Sequence, residues 1–261
     1  MNLKIGDFVS RNSHNNDIVF RIDKIDGTKV YLVGVNVRLC ADADITDIVK
    51  TQNIENDDGD IINNNLKDLK MDRESYFYIP GKILHIDSDE TYLKRCMNFY
   101  KKLDIKANGL VLPEKDISTQ IYSLMEKYRP DIIVITGHDS YVSKSKDKSD
   151  LANYENTAYF ISAIKEIRKY EKAQDKLIII AGACQSNYEE LIKAGANFAS
   201  SPKRINIHAL DPAIVASSIA LSDKNQSIDL IKTLEKTKYG SAGIGGIITN
   251  GTMYVGYPRW I

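Results

Sequence analysis

Residues 131–139 read DIIVITGHD and residues 176–186 read KLIIIAGACQS. Each is a continuous apolar run that ends in a reactive side chain, His138 in the first and Cys184 in the second. Unbroken apolar runs of about four to eight residues suit strands buried on both faces of a parallel sheet. In open α/β sheets, ligands bind in the crevice beyond the carboxyl ends of the strands. Two neighbouring strands of this kind place an imidazole and a thiol at one sheet edge, the pairing of a nucleophile with its base. The histidine comes first, by 184 − 138 = 46 residues.

Working outward, strand and helix signals alternate from residue 82 onward. Strands are expected at 82–87, 109–112, 131–139, 176–186 and 197–200. Helices are expected at 90–103, 117–128, 154–172, 188–194, 211–222 and 228–236. Alternation predicts an α/β fold, a mainly parallel sheet flanked by helices with right-handed crossovers. In the glycine-rich tail, Asn250-Gly251 reads as a hairpin turn between strands 246–249 and 252–255. Residues 1–48 read as all-β, with strands at 4–11, 17–25 and 29–37 and a turn at Asp26-Gly27. Three short strands predict a small SH3-like or Tudor-like β-barrel. Residues 49–75 contain NIENDDGDIINNN and read as a linker before an α/β domain over 76–261.

The totals exclude several classes. The 261 residues carry 35 Lys and Arg against 35 Asp and Glu, a formal net charge of zero. Nucleic-acid binding needs a basic excess, so no such partner is expected. The three cysteines, Cys40, Cys96 and Cys184, lack disulfide-framework or zinc-ligand spacing. A reducing compartment, no metal and no cofactor are therefore expected. The first residues, MNLKIGDFVS, lack a signal-peptide core, and no run approaches the roughly 18 apolar residues of a membrane span.

Around the two strand ends the residue types suggest roles. Cys184 follows the small residues Ala181, Gly182 and Ala183, which admit a close approach of substrate. A helix starting just beyond lends amide N–H groups to an oxyanion. The N–H groups of Gly137 and Cys184 are the oxyanion-hole candidates. Asp87 and Asp89 end the first strand, in HIDSD, beside His85. A carboxylate there takes a basic substrate side chain, although one of the two is expected to cap the following helix. Asp211 is the reserve candidate for that pocket. Asp139, Gln185 and His208 are further polar residues expected nearby. The Lys/Ser-rich loop at 141–150 reads as a mobile segment adjoining the site.

The strings ITGHDS, AGACQSNYEELIKAGANFASSPKRINIHALDP and GIGGIITNG, with the N-terminal GDFVSR, resemble the YabG family of sporulation-specific cysteine peptidases. The blocks agree in order and spacing over the whole chain. The resemblance implies catalytic roles for His138 and Cys184, cleavage after arginine, and protein substrates of the spore coat and cortex. It implies a place on the mother-cell side of the sporulating cell, in the cytoplasm and the coat. Self-processing is expected instead from the loop at 141–150, which reads as a self-processing or substrate-gating segment. The strand–His, strand–Ala-Cys order is also similar to caspase- and gingipain-like peptidases, which implies a caspase-like three-layer fold. The sequence departs from that group at Gly182, where an acidic residue or Gln is usual.

Two other readings compete. A receiver- or flavodoxin-like regulatory domain would use Asp87, Asp89, Asp139 and Lys203 as a phospho-acceptor pocket with Mg²⁺. It leaves the His138/Cys184 pairing without a purpose. A class I glutamine amidotransferase places its histidine after the cysteine, the reverse of this chain.

Overall fold

The computed structural model describes residues 3–52, 57–67, 71–141 and 147–259. The centre of the expected loop at 141–150 lies outside the described residues.

The first strands are β1 (Phe8–Arg11), β2 (Phe20–Asp26), β3 (Lys29–Gly34), β4 (Cys40–Asp44) and β5 (Ile48–Lys50). They form one antiparallel sheet in the order β4-β3-β2-β1-β5. Alternation along β2 and β3 turns Phe20, Ile22, Val30 and Leu32 inward onto Val9 and Ile48. Strands β4 and β5 stand at the two ends of this order. Residues 35–39 connect β3 to β4 as a hairpin tip.

A helix, α1 (Asp58–Lys67), occupies part of the stretch that reads as linker. Ile62 packs into the main core, and Arg95 holds Asp58 through two bonds of 2.9 and 2.7 Å. These long-range contacts outweigh a local sequence rich in Asn and Asp.

Next come β6 (Phe77–Ile79), β7 (Ile83–Asp87), α2 (Glu90–Lys102), β8 (Ala107–Val111), α3 (Glu114–Tyr128), β9 (Ile132–Thr136) and α4 (Thr157–Tyr170). The second half supplies β10 (Ile178–Ala181), α5 (Tyr188–Ala194), β11 (Phe198–Ser200), α6 (Asp211–Ala220), α7 (Leu230–Glu235), β12 (Ile244–Gly246) and β13 (Tyr254–Gly256). The central sheet has the order β12-β11-β10-β9-β7-β8, and only β12 runs antiparallel to its neighbour. Ile132, Val134, Ile178 and Ile180 face α2 and α6, whereas Ile133, Ile135 and Ile179 face α3 and α4. The sheet is therefore buried on both faces, which is why its strands read as unbroken apolar runs.

The expected tail hairpin does not form. β12 joins the central sheet through β11, and β13 pairs with β6. Gly251 serves close packing instead of a turn, since a Cβ there would meet the Ser222 carbonyl oxygen at 2.0 Å.

Strand order reverses between β7 and β9, which are adjacent although β8 lies between them in sequence. Such a switch point opens a crevice at the carboxyl edge of the sheet. Asp87 is level with Thr136 across β7 and β9, and Ala181 is level with Ile135 across β9 and β10. Cys184 lies three residues past Ala181 and His138 three past Ile135, so register alone sets both at one edge.

Candidate active site

The chain turns sharply after β10. Gly182 has φ +103°, in the left-handed region, and a Cβ there would come within 2.8 Å of Leu191. The Ala183 amide donates to Ser186 Oγ at 2.9 Å, and the Gln185 amide to Ser201 Oγ at 3.0 Å. The Gln185 side chain accepts from the Tyr141 amide and bonds Asn206, tying three loops together. Cys184 is left facing inward, 1 % exposed.

The β9 end is pinned as firmly. The His138 amide donates to Glu114 Oε1 at 2.7 Å, and Asn156 donates to the His138 carbonyl at 3.0 Å. Gly137 sits under Ser88 and Glu114, where a Cβ would meet the Glu114 carboxylate at 2.3 Å. Asp139 is buried and accepts from Thr157, from Ser186 Oγ at 2.8 Å and from the Asn156 amide at 2.8 Å. It braces the β9 and β10 ends against each other, and burial pushes its carboxyl above the usual range.

Asp89 caps α2 through the Thr91 and Tyr92 amides and also lies 3.3 Å from His138 Nε2. Burial opposes a charge on His138, but the Asp89 carboxylate and Cys40 outweigh it and hold the imidazolium up to about 10. His138 Nε2 is 3.6 Å from the exposed Cys40 thiol.

What fills the crevice is the hairpin tip at 35–39. Val37 bridges His208 in antiparallel fashion; the Arg38 amide donates to the Ile207 carbonyl, and the Ala209 amide to the Asn36 carbonyl. Tyr92 Oη donates to the carbonyls of Gly34 and Val37, and Arg95 to that of Val35. The Arg38 side chain, 1 % exposed, runs into the switch point and pairs with Asp87. The Tyr92 ring lies 4.8 Å from its guanidinium. Thr136 Oγ1 donates to Asp87 at 2.8 Å, and the Asp89 amide at 3.0 Å. Burial would raise the Asp87 carboxyl, but the Arg38 charge prevails and holds it well below the usual range. Behind the pair, His85 bonds Tyr100 Oη and Thr136, and burial pushes its pKa down.

The Cys184 thiol donates to the Arg38 carbonyl oxygen at 2.7 Å and accepts the Ile207 amide at 3.3 Å. Burial pushes it up to about 12. Among the described residues, the thiol is thus engaged with Arg38 at the hairpin tip and the imidazole with Asp89 and with Cys40 at the start of β4, and not with one another. Asp211 accepts the His208 and Lys238 amides, and burial raises its carboxyl to about 6; it pins backbone and does not meet Arg38. His208 bonds Asp57 at 2.8 Å, at the outer wall of the crevice.

Among the described residues, two clusters bring metal-ligand types within 4.8 Å of one another: Cys40, Asp89 and His138, and Asp57, Asp58 and His208. Neither follows from local spacing, since each joins residues distant in sequence. A cavity of about 730 Å³ lined by Asn65, Ser217, Asp229 and Lys232 contains no paired nucleophile and base.

Sequence reasoning passed over Arg38, Cys40, Tyr92, Thr136 and Glu114. Arg38 left one signal, as the only charged residue between Val30 and Ala41. The hairpin tip of residues 1–48 packs against the α/β unit at Asp87 and residues 207–209.

Comparison with known proteins gives a consistent result. The family model described as YabG peptidase U57 matches residues 4–258. The chain is 40% identical over 286 aligned positions to the sporulation-specific protease YabG of Bacillus subtilis strain 168, covering 99% of each chain. Among solved structures, a GDP-L-fucose synthetase from Naegleria fowleri is 18% identical, with 44% of this chain and 34% of that chain covered. Its TM-score of 0.27 carries no argument about fold.

Proposed function

The chain belongs to the YabG peptidase U57 family, and from that premise and the site geometry we propose a cysteine endopeptidase that cuts after arginine. Cys184 is the nucleophile and His138 the acid and base. The observation that carries this is the placement of Arg38, with its guanidinium on Asp87 and its carbonyl oxygen 2.7 Å from the Cys184 thiol. A substrate arginine in the same seat presents its carbonyl to the same sulfur.

In the reaction, Cys184 Sγ adds to the carbonyl carbon and the amides of Gly137 and Cys184 receive the oxyanion. His138 protonates the departing amine, leaving a thioester, and then activates water to release it. Asp89 orients the imidazole and favours its protonated form. Asp87 supplies specificity, since a buried carboxylate matches a guanidinium in a way an ammonium does not copy. The His-strand and Cys-strand order supports a caspase-like sheet, and the N-terminal strands an SH3-like unit. The printed name of the Bacillus relative supports protein substrates in the forming spore, of coat or cortex, handled on the mother-cell side.

One observation favours a second reading. Cys40 is the cysteine in contact with His138. It lies two residues past Arg38 on the hairpin, however, so it stands where a substrate's leaving side would be. A peptide series with Arg, Lys, Gln or Ala before the cut tests the proposal. Wild type should prefer Arg strongly, and Cys184→Ala should not turn over. Equal cutting of Arg and Ala peptides would remove the specificity claim, and turnover by Cys184→Ala would remove the nucleophile.

A further inference from the structure

Cys40 and Asp89 both meet the same ring nitrogen of His138. Cys40 Sγ lies 3.6 Å from Nε2, and Asp89 Oδ2 lies 3.3 Å from it. That nitrogen offers one proton or one lone pair, so a hydrogen bond satisfies one neighbour and leaves the other. A divalent cation satisfies both. Around a tetrahedral zinc ion, with bonds of about 2.3 Å to sulfur and about 2.1 Å to nitrogen and oxygen, the sulfur–nitrogen edge is about 3.5 Å and the nitrogen–oxygen edge about 3.4 Å. The observed separations match those edges, and all three ligand atoms lie within 4.8 Å of one another.

The carboxylate is already aimed. Its Oδ1 accepts the Thr91 and Tyr92 amides at 2.8 and 3.1 Å, which fixes the direction of Oδ2. Among the described residues, His138 is its one charged partner. The cluster of Asp57, Asp58 and His208 differs here, because Lys238 and Arg95 already neutralise its two carboxylates. The Arg38 charge, which faces the same crevice, is taken up by Asp87. Cys40 is exposed and the His138 side chain is 29 % exposed, so an ion from solvent reaches them while Cys184 stays buried.

We propose that Cys40, Asp89 and His138 form a zinc site, with water in the fourth position, and that zinc bound there halts peptide cleavage. A thiolate, an imidazole and a carboxylate suit zinc better than magnesium or calcium, which take oxygen ligands. On binding, the Cys40 thiol and Nε2 release their protons to solvent, and the Nε2 lone pair turns to the metal. His138 can then neither protonate a departing amine nor activate water. This consequence rests on the cysteine-peptidase reading above, whereas the site itself does not.

The test separates binding from turnover. Calorimetric titration with zinc chloride uses full-length Cys184→Ala, which removes the nucleophile as a rival thiol, Cys96 being buried. One equivalent should bind. Adding Cys40→Ala or Asp89→Asn should each weaken binding more than about 10-fold. Cobalt in place of zinc should give a thiolate-to-metal absorption that Cys40→Ala abolishes and Asp89→Asn retains. Turnover of an Arg peptide is then followed with Cys184 intact, each protein compared with its own metal-free rate. Zinc should stop wild type, EDTA should restore it, and Cys40→Ala should need more than about 10-fold more zinc for the same loss. Equal inhibition of wild type and Cys40→Ala would place the ion on Cys184 and overturn the proposal. Zinc binding that neither Cys40→Ala nor Asp89→Asn weakens would overturn it too. Binding at the three residues without any effect on cleavage would refute the inhibition and remove His138 from the chemistry. A wild type that binds zinc as described but cuts no peptide would sink the peptidase reading, and the inhibition with it, while the metal site stands.

Discussion

At the scale of single residues, the charges around His138 and Asp87 make separate, opposite predictions. Asp87 is held below its usual range by Arg38, so the pair contributes stability above pH 3.8, lost as pH falls through the lowered value. Neutral pH changes cannot release the hairpin tip. His138 is raised to about 10. The stability of its tie to Asp89 is full below about pH 6.5 and is lost as pH rises through 10. Asp89→Asn removes the anion but keeps a good helix cap. In that variant burial dominates, and His138 should titrate below 6.5 in a histidine-ring NMR experiment. An unchanged His138 titration would show that Asp89 is not its partner. Asp87→Asn should cost roughly 2–4 kcal/mol of the preference for Arg over Gln peptides, read from kcat/KM. A full preference in that variant would place the arginine pocket elsewhere. His138 and Cys184 were legible because each closes an apolar run. Arg38 was not legible, because its partner, Asp87, is 49 residues away in sequence and nothing local links them.

At the scale of elements, periodicity revealed most of the central sheet and its helices. Helix α5 spans Tyr188–Ala194 as its sequence predicts, with Asn187 accepting the Glu190 amide and Gly195 at φ +116° ending it. Helix α1 and the tail escaped. Both depend on packing against distant residues, α1 through Ile62 and Asp58, and β13 through its pairing with β6. The turn after β10 is the element most exposed to a single change. Gly182→Ala places a side chain at φ +103° and against Leu191. An L residue in left-handed backbone costs about 1–2 kcal/mol before any clash. The variant should lose at least that much stability in urea unfolding and lose peptide cleavage with it. A variant of normal stability and activity would mean that the turn does not set the position of Cys184.

At the scale of the whole molecule, the N-terminal sheet and the α/β unit are joined through the site. The sheet delivers one loop to the crevice, and Tyr92, Arg95 and residues 207–209 receive it. The chemistry proposed needs no metal, although two clusters bring ligand types together. Prolonged EDTA treatment should leave peptide cleavage intact. Loss of activity that zinc restores would reassign the enzyme as a metallopeptidase. Cysteine labelling should depend on the loop's position. While the tip is seated, the exposed Cys40 reacts and the buried Cys184, pushed up to about 12, does not. The most direct measurement uses a peptidyl-arginine acyloxymethyl ketone on actively cleaving enzyme, with the modified residue located by mass spectrometry. The account predicts one adduct, on Cys184, with activity lost in proportion and little labelling of Asp87→Asn. An adduct on Cys40, or full activity with Cys184 modified, would contradict it.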